Sequence, residues 1–422
     1  MNKKPLGYAA GNGLIHRRHF LGLAAAGFTA VTTHDLLAAE AADLSLPGWS
    51  RSPGPGPSEY GNPSRFAGDF KRLAPAASPL QPGAGSSRSP LHLLQGTITP
   101  NSLHFERHHS GVPDIDPAGH KLVINGLVRQ PLVFNYEDLL RYPMTSRIHF
   151  IECSGNSGGQ AGDEATDGSA ASLHGLVSCA EWTGIPLSYL LDEAGPLNSA
   201  AWISAVGADA ASMGRSIPLN KALDDVILAL YQNGEPLRPE QGYPMRLLVP
   251  GWEGNLNVKW VTQIKLTAAA AQFRDETSKY TDTLENRQSL QFTFPMGPKS
   301  VITSPSGQMG LPVTGLYQVT GIAWSGHGTI RKVEVSADGG RSWANAILDE
   351  PQLDRALTRF RLPWQWQGGT AILMSRATDN RGNLQPSRDA WRDSMGSINR
   401  YHFNGIQSWS VSADGRVSNV FA

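Results

Sequence analysis

The sequence predicts an α+β domain over residues 91–294 followed by an all-β sandwich over residues 295–422. Three observations carry this. Between Leu91 and Phe294, helix-like and strand-like segments mix without a regular strand–helix–strand period. Beyond that, short alternating strands recur at roughly ten-residue spacing, the pattern of a two-sheet β-domain. Between the two, Pro295, Gly297, Pro298 and Pro305 cluster near Phe292–Ser306 and mark a boundary.

In the first domain, Lys121–Val128 reads as a strand ending at the Gly126 turn, and Tyr136–Leu140 as a short helix. Arg147–Cys153 is an apolar strand that runs into Ser154-Gly155-Asn156-Ser157-Gly158-Gly159. Pro186–Gly195 has helical apolar spacing and a glycine stop. Ala201–Val206 and Met245–Val249 are further strands. In the second domain the strands are Gln318–Trp324, Ile330–Ser336 and Thr370–Ala377. Asp338-Gly339-Gly340 forms a hairpin turn between Val335 and Trp343.

The chain has 422 residues, enough for more than one domain, and 36 Lys and Arg balance 36 Asp and Glu. That balance gives no support for nucleic-acid or membrane-surface binding. With 45 Gly, 29 Pro and 11 Trp, the composition favours turns and β structure. Two cysteines cannot build a disulfide framework. Cys153 and Cys179 are too far apart for Cys-x-x-Cys-His, so no c-type haem is expected in this chain.

Residues 1–42 read as an export signal. His16-Arg17-Arg18-His19-Phe20-Leu21-Gly22 opens a 12-residue apolar run from Phe20 to Val31, and Ala39-Glu40-Ala41 is a cleavage candidate. The paired arginines before Phe-Leu resemble a twin-arginine signal, against the alternatives of an ordinary secretory signal or a basic tail. That route places the mature protein in the periplasm and exports it already folded, a hint of a cofactor inserted in the cytoplasm. Residues 43–90, with Ser52-Pro53-Gly54-Pro55-Gly56-Pro57, are expected to wrap the first domain or link to it.

Four constellations could carry chemistry. Gly155-Asn156-Ser157-Gly158-Gly159 looks like the nucleophile loop of a trypsin-like protease. That reading needs a histidine and an aspartate placed well upstream; half of the preceding chain is signal and Pro-rich linker, so the first barrel has no room. Cys153 is a soft thiolate donor, but structural zinc wants four protein ligands. A lone thiolate makes sense where an organic cofactor supplies further sulfurs; the alternative is a small buried thiol. Leu103-His104-Phe105-Glu106-Arg107-His108-His109 holds three histidines and an arginine, which suit metal, anion or ordinary hydrogen bonding. Arg246 with Asn257-Val258-Lys259-Trp260 could grip a phosphate or form surface ion pairs.

Together these residues resemble the sulfite oxidase family of molybdopterin enzymes, in order from about residue 91 to 410. Phe105-Glu106-Arg107-His108-His109 is similar to the family's Phe-Thr-Arg-Asn-His, and Asp114-Ile115-Asp116-Pro117 to its Asn-Leu-Asp-Pro. Cys153-Ser154-Gly155-Asn156 is similar to Cys-Ala-Gly-Asn. Ser216-Ile217-Pro218-Leu219, Gly242-Tyr243-Pro244-Met245-Arg246 and Val258-Lys259-Trp260 also match. In the tail, Ala323-Trp324-Ser325-Gly326 and Val335–Trp343 match the family's dimerisation domain.

The resemblance implies a molybdopterin-binding catalytic domain over 91–294 and an immunoglobulin-like dimerisation domain over 295–422. It implies Cys153 as the molybdenum ligand. Phe105, Glu106, Arg107, His108, His109, Asp209, Arg246, Asn257, Val258 and Lys259 would hold the pterin and its phosphate. Gln241 stands where many members carry His. Arg107 and Tyr280 would face the substrate. The departures bear on specificity. Ser157-Gly158 stands where many sulfite oxidases have paired arginines, and Met395, in Asp393-Ser394-Met395-Gly396, stands where the family sends an arginine into the pocket. A less positive pocket suits a sulfane sulfur presented on a carrier-protein cysteine better than the small dianion sulfite. With no haem or iron–sulfur motif here, electrons would pass to a separate c-type cytochrome subunit, in a heterotetramer built on a homodimer. Free sulfite is the alternative substrate, and a cofactor-free β-sandwich binding module the non-enzyme alternative.

Overall fold

The structure is a computed structural model that describes residues 8–15, 50–68, 70–74 and 81–422. The paired arginines, the apolar run and the cleavage candidate lie outside the described residues. Tyr8–Ile15 lies on the second domain, where Leu14 and Ile15 are buried and the Ile15 N–H donates to the Pro363 carbonyl at 3.0 Å.

The first domain runs β1 (Gly85–Ser87), β2 (Glu106–His108), β3 (Lys121–Gly126), β4 (Leu132–Asn135), α1 (Tyr136–Leu139), β5 (Thr145–Glu152) and α2 (Ala170–His174). There follow β6 (Val177–Pro186), α3 (Leu187–Ala194), β7 (Trp202–Gly207), β8 (Gly214–Pro218), α4 (Leu219–Asp224), β9 (Ile227–Gln232), β10 (Glu235–Pro236) and β11 (Arg246–Leu248). It ends with β12 (Val261–Thr267), α5 (Arg274–Ser278), β13 (Thr281–Thr283) and β14 (Ser289–Gln291).

One sheet has the order β4-β3-β12-β7-β8; the other is β10-β9-β6-β5, with β11 also on β9. Only the β3–β12 pair is parallel among the pairings of these two sheets, so the domain is α+β rather than doubly wound. The sequence patterns explain the elements. Along α3, Leu187, Leu190, Leu191 and Ala194 are buried at helical spacing, and Gly195 closes the helix at φ 68°. In β5, the run His149-Phe150-Ile151-Glu152 is buried although β5 is the edge strand of its sheet, because the second domain covers that edge; the Phe150 N–H donates to the Arg355 carbonyl at 3.0 Å.

The second domain is a sandwich. Its strands are β15 (Lys299–Ser304), β16 (Gly315–Trp324), β17 (Ile330–Ser336), β18 (Ala344–Asn345), β19 (Ile347–Leu348), β20 (Thr358–Trp366), β21 (Ala371–Asp379), β22 (Ser408–Val411) and β23 (Val417–Val420), with α6 (Arg388–Met395) inserted. The sheets are β15-β16-β20-β19 and β18-β17-β21-β22-β23. Trp324, Val333, Phe360, Trp364, Leu373 and Trp409 fill the space between them. The same apolar cluster takes in Phe150, Val177 and Cys179 of the first domain, so the two cores are continuous.

The Pro/Gly/Ser-rich segment does more than link. Its β1 pairs antiparallel with β2, Ser86 opposite Arg107, and so forms an edge of the histidine-bearing loop. Three residues pairing at an exposed edge leave no periodicity in the sequence to find.

Candidate active site

Strand β5 delivers Cys153 to the floor of a partly open cavity. The Cys153 N–H donates to the Leu176 carbonyl at 3.0 Å, and its own carbonyl accepts the Asn156 N–H at 2.8 Å, so the chain turns directly after the thiol. Gly254 packs behind it; a Cβ there would stand 3.2 Å from Cys153 Cα and 2.7 Å from the Glu152 oxygen. Side chains larger than hydrogen are excluded by that approach.

Every site residue predicted from the sequence lines this one cavity: Phe105, Glu106, Arg107, His108 and His109 from β2 and its flanks, with Cys153, Asp209, Gln241, Arg246, Asn257, Val258, Lys259 and Tyr280. His104 also lines it, but lies edge-on to Trp182 in the interior, and burial holds its imidazole at about 3. His108 is occupied on both ring nitrogens, by Glu106 at 2.9 Å and Lys259 at 2.9 Å. His109 Nε2 meets the Tyr280 hydroxyl at 3.0 Å. The three histidines therefore do not converge, and no group of three or more His, Cys, Asp or Glu that could hold a metal occurs among the described residues.

The basic groups behave as those of an anion site. Arg246 is buried against Trp182, with its guanidinium 5.0 Å from the ring centroid. It donates only to oxygens of neutral groups: Gln241 at 3.0 Å and Asn257 at 3.1 Å. Burial pulls it down to about 9, and it stays charged at neutral pH. Lys259 donates to the Arg107 carbonyl at 3.3 Å and the Glu240 carbonyl at 3.0 Å. Burial, with Arg246 adjacent, pulls it well below the usual lysine range. Neither makes an ion pair among the described residues. A buried guanidinium without a carboxylate partner, with a half-buried lysine beside it, is costly unless an anion sits between them.

The donor set fits molybdopterin: one thiol for the metal, a group that brings its own sulfurs, and the Arg246 and Lys259 cations for its phosphate. Burial raises the Cys153 thiol, while the Gly155 N–H and Arg107 oppose that rise. Gln241 and Asn257 serve as scaffolding: Gln241 Nε2 donates to the Phe105 carbonyl at 2.9 Å, and Asn257 Oδ1 accepts the Val249 N–H at 2.8 Å.

Sequence reasoning missed a charged layer behind Tyr280. The Arg215 guanidinium lies 4.8 Å from the Tyr280 ring centroid and pairs with Glu253 at 2.9 Å and Glu276 at 3.4 Å, all buried. Burial alone would raise Glu253, but Arg215 and His402 overcome it and hold the carboxyl at about 2. His402 comes from the second domain and stands 3.3 Å from Glu253. Tyr401, next to it, tilts against Tyr280 with centroids 5.7 Å apart and lies against Gly155. A charged residue in the Gly-Trp-Glu-Gly run at Glu253 was the available signal. His402 and Tyr401 had none, because they arrive from another domain.

Met395 does not line the cavity. It ends α6 and packs on Ala161, Trp391 and Phe403. Ser157 is buried; its Oγ lies 2.6 Å from His174 Nδ1, but Lys299 Nζ donates to the same oxygen at 2.7 Å. It is a structural hydroxyl with no route for a substrate. Gly158 makes room for the second domain, since a Cβ there would meet the Arg400 carbonyl at 2.4 Å.

A two-sheet α+β domain that holds a single thiol beside a buried arginine and a half-buried lysine, joined to a β-sandwich, fits a pterin-dependent metal oxidoreductase. Residues 109–273 match the oxidoreductase molybdopterin binding domain, and residues 291–408 the Mo-co oxidoreductase dimerisation domain. The chain belongs to the sulfite oxidase family of molybdopterin oxidoreductases and is an enzyme of that class. It is similar to the sulfane dehydrogenase SoxCD from Paracoccus pantotrophus: 44% identity, TM-score 0.86, covering 89% of this chain and 97% of that one. Mitochondrial sulfite oxidase of Mus musculus is 30% identical over 70% of this chain and 58% of its own length. Nitrate reductase [NADH] 2 of Phaseolus vulgaris is 31% identical over 80% and 42% respectively. The chain thus spans about half the length of these curated relatives. No helix of the described residues is long and apolar enough to cross a membrane.

Proposed function

We propose that this chain is the molybdenum subunit of a periplasmic sulfane dehydrogenase, exported by the twin-arginine route. It oxidises a sulfane sulfur held on a carrier-protein cysteine and hands electrons to a separate c-type cytochrome subunit. The 44% identity to SoxCD over nearly all of that chain supports the reading. The observation that carries it is the composition of the approach to Cys153. A groove beside the cavity is walled by Gly155, Gly158, Gly159, Thr281, Thr283, Ile398 and Tyr401, with Lys279 and Arg400 as its cations. Where many sulfite oxidases have paired arginines, this chain has the buried Ser157 and the groove-lining Gly158, and Met395 is turned into an apolar cluster.

Cys153 holds molybdenum. The buried Arg246 and the half-buried Lys259 neutralise the pterin phosphate, while Phe105, Glu106, Arg107, His108, His109, Asp209, Gln241, Asn257 and Val258 complete its cradle. The cofactor supplies two-electron redox chemistry with water as the oxygen source. The protein's own part is placement and proton handling. Tyr280 and Arg107 face the reacting sulfur. Burial and the nearby Arg107 hold His109 at about 4, so it is a neutral partner for the Tyr280 hydroxyl at pH 7. The second domain forms the homodimer within a heterotetramer. Free sulfite is the competing substrate, favoured by the likeness to mouse sulfite oxidase. Steady-state turnover of the purified complex decides: efficient oxidation of a carrier-bound sulfane is expected, and efficient turnover of free sulfite without a carrier would overturn the choice.

A further inference from the structure

We propose that Lys299 and Trp324 of the second domain are positioning residues for the Cys153 sulfur, acting through Glu152. Glu152 immediately precedes the thiol and is buried at 1% exposure, yet both of its oxygens are occupied. Oε1 accepts from Lys299 Nζ at 2.9 Å and from Asn156 Nδ2 at 2.9 Å. Oε2 accepts from the Trp324 indole at 2.6 Å.

The same lysine holds the other side of the turn. Lys299 Nζ donates to Ser157 Oγ at 2.7 Å, so the residue before Cys153 and the fourth residue after it share one ammonium. Asn156 closes the bracket: it donates to Glu152 and accepts the Leu176 N–H at 3.1 Å on Oδ1. The turn bearing the thiol is thus clamped at both ends by side chains from β15 and the end of β16. A buried ion pair is a poor source of stability compared with apolar packing. A well-placed apolar pair would join the domains as well, whereas only a charged, fully donated carboxylate fixes the direction of the strand end in this way. Since β15 and β16 belong to the dimerisation domain, the metal-ligand loop inherits its geometry from that domain.

The inference rests on Cys153 being the ligand, which the metal content of Cys153→Ser tests separately. The experiment uses purified holoenzyme carrying Lys299→Met, Trp324→Phe or the double change Glu152→Gln/Lys299→Met. Readouts are metal per protein, the paramagnetic resonance signal after partial chemical reduction, and kcat and KM with the substrate the wild type accepts. Losing an outer partner of a metal ligand costs about 10- to 100-fold. A fall of about that size in kcat, an altered resonance signal and a KM within about twofold are therefore expected for Lys299→Met, with a smaller effect of the same kind for Trp324→Phe. The double variant leaves no unpaired charge but also no clamp, so it should lose about as much as Lys299→Met; recovery to wild-type signal and kcat there would overturn the proposal and assign the loss to an unpaired Glu152. A wild-type signal and kcat in the folded Lys299→Met protein, however far its melting temperature falls, would overturn the proposal and leave the pair as a domain tie. Trp324→Phe keeps an aromatic side chain but removes the N–H donor along with part of the ring; if Lys299→Met does not fold, an unchanged signal and kcat in Trp324→Phe overturns it equally.

Discussion

Acid should loosen this protein through two buried neutral histidines, and His174→Gln isolates one of them. Burial holds His174 at about 3, with Lys299 adding to the effect. The donor order agrees: Lys299 donates to Ser157 Oγ, so the Ser157 proton goes to His174 Nδ1, and Nε2–H donates to Gln407 Oε1 at 3.1 Å. Between pH 6.5 and about 3 the unfolded chain binds a proton at this imidazole that the folded chain refuses. A depressed histidine therefore removes stability as pH falls through that window. From an unfolded value of about 6.5, the loss is about 2 kcal/mol at pH 5 and close to nothing at pH 7. His104, also at about 3, adds a similar amount. Urea unfolding at pH 7 and pH 5, with the m-value checked for constancy, measures it. The pH-dependent loss in His174→Gln should be smaller than in wild type by about 2 kcal/mol, whatever constant offset the substitution brings. An equal loss in both proteins would refute the reasoning: His174 would then be charged beside the Lys299 ammonium, and the donor order through Ser157 would be wrong.

Other outcomes follow from the site. Cys153→Ser should abolish turnover and strip the metal signal from the purified protein, as elemental analysis will show. Arg246→Gln should reduce pterin retention about 10- to 100-fold, the worth of a charge-assisted hydrogen bond in a buried site, read from the fluorescent pterin oxidation product. Tyr280→Phe should lower kcat by at least about tenfold, the scale of losing a positioned proton donor, with metal and pterin content unchanged. Oxidant treatment of the folded protein should leave Cys179 unmodified, since burial raises that thiol to about 12 and it sits in the apolar core between the domains; mass spectrometry of the treated protein checks this.

The strands and helices were legible because their signals are local. The α3 stripe with Gly195, the buried end of β5 and the Asp338-Gly339-Gly340 hairpin each declare themselves within ten residues or so. Cys153 was legible in part: a thiol at a strand-to-glycine turn is compatible with a ligand, and likeness to the family, rather than spacing, selected it. The grouping of Arg246 with Lys259 and Arg107 came the same way, and the cavity brings them together. Glu253 alone carried a signal, in its Gly-Trp-Glu-Gly run, whereas Arg215, Glu276 and His402 were illegible for a physical reason. Each lies in an ordinary-looking stretch of its own, and what sets it apart is burial against opposite charge, which only the packing of β8, α5 and two loops creates.

The second domain is therefore more than a dimerisation module. Lys299 and Trp324 hold Glu152 on one side of Cys153, while Tyr401 and His402 reach Gly155, Tyr280 and Glu253 on the other. The His402 N–H donates to the Ser154 carbonyl at 2.9 Å, which adds a backbone tie to the same turn. A thiol that ligates through one sulfur has freedom to rotate, and a small cofactor-facing loop cannot restrain that by itself. Restraint has to come from outside the loop, and here it arrives from a separate fold unit on both flanks. Expressed alone, residues 91–294 would lose Lys299, Trp324, Tyr401 and His402 together, leaving Glu152 and the apolar faces of Phe150 and Cys179 in water. Such a fragment should fail to retain molybdenum even where its own sheets form, and a metal-loaded, folded fragment would show that the loop holds its ligand geometry unaided.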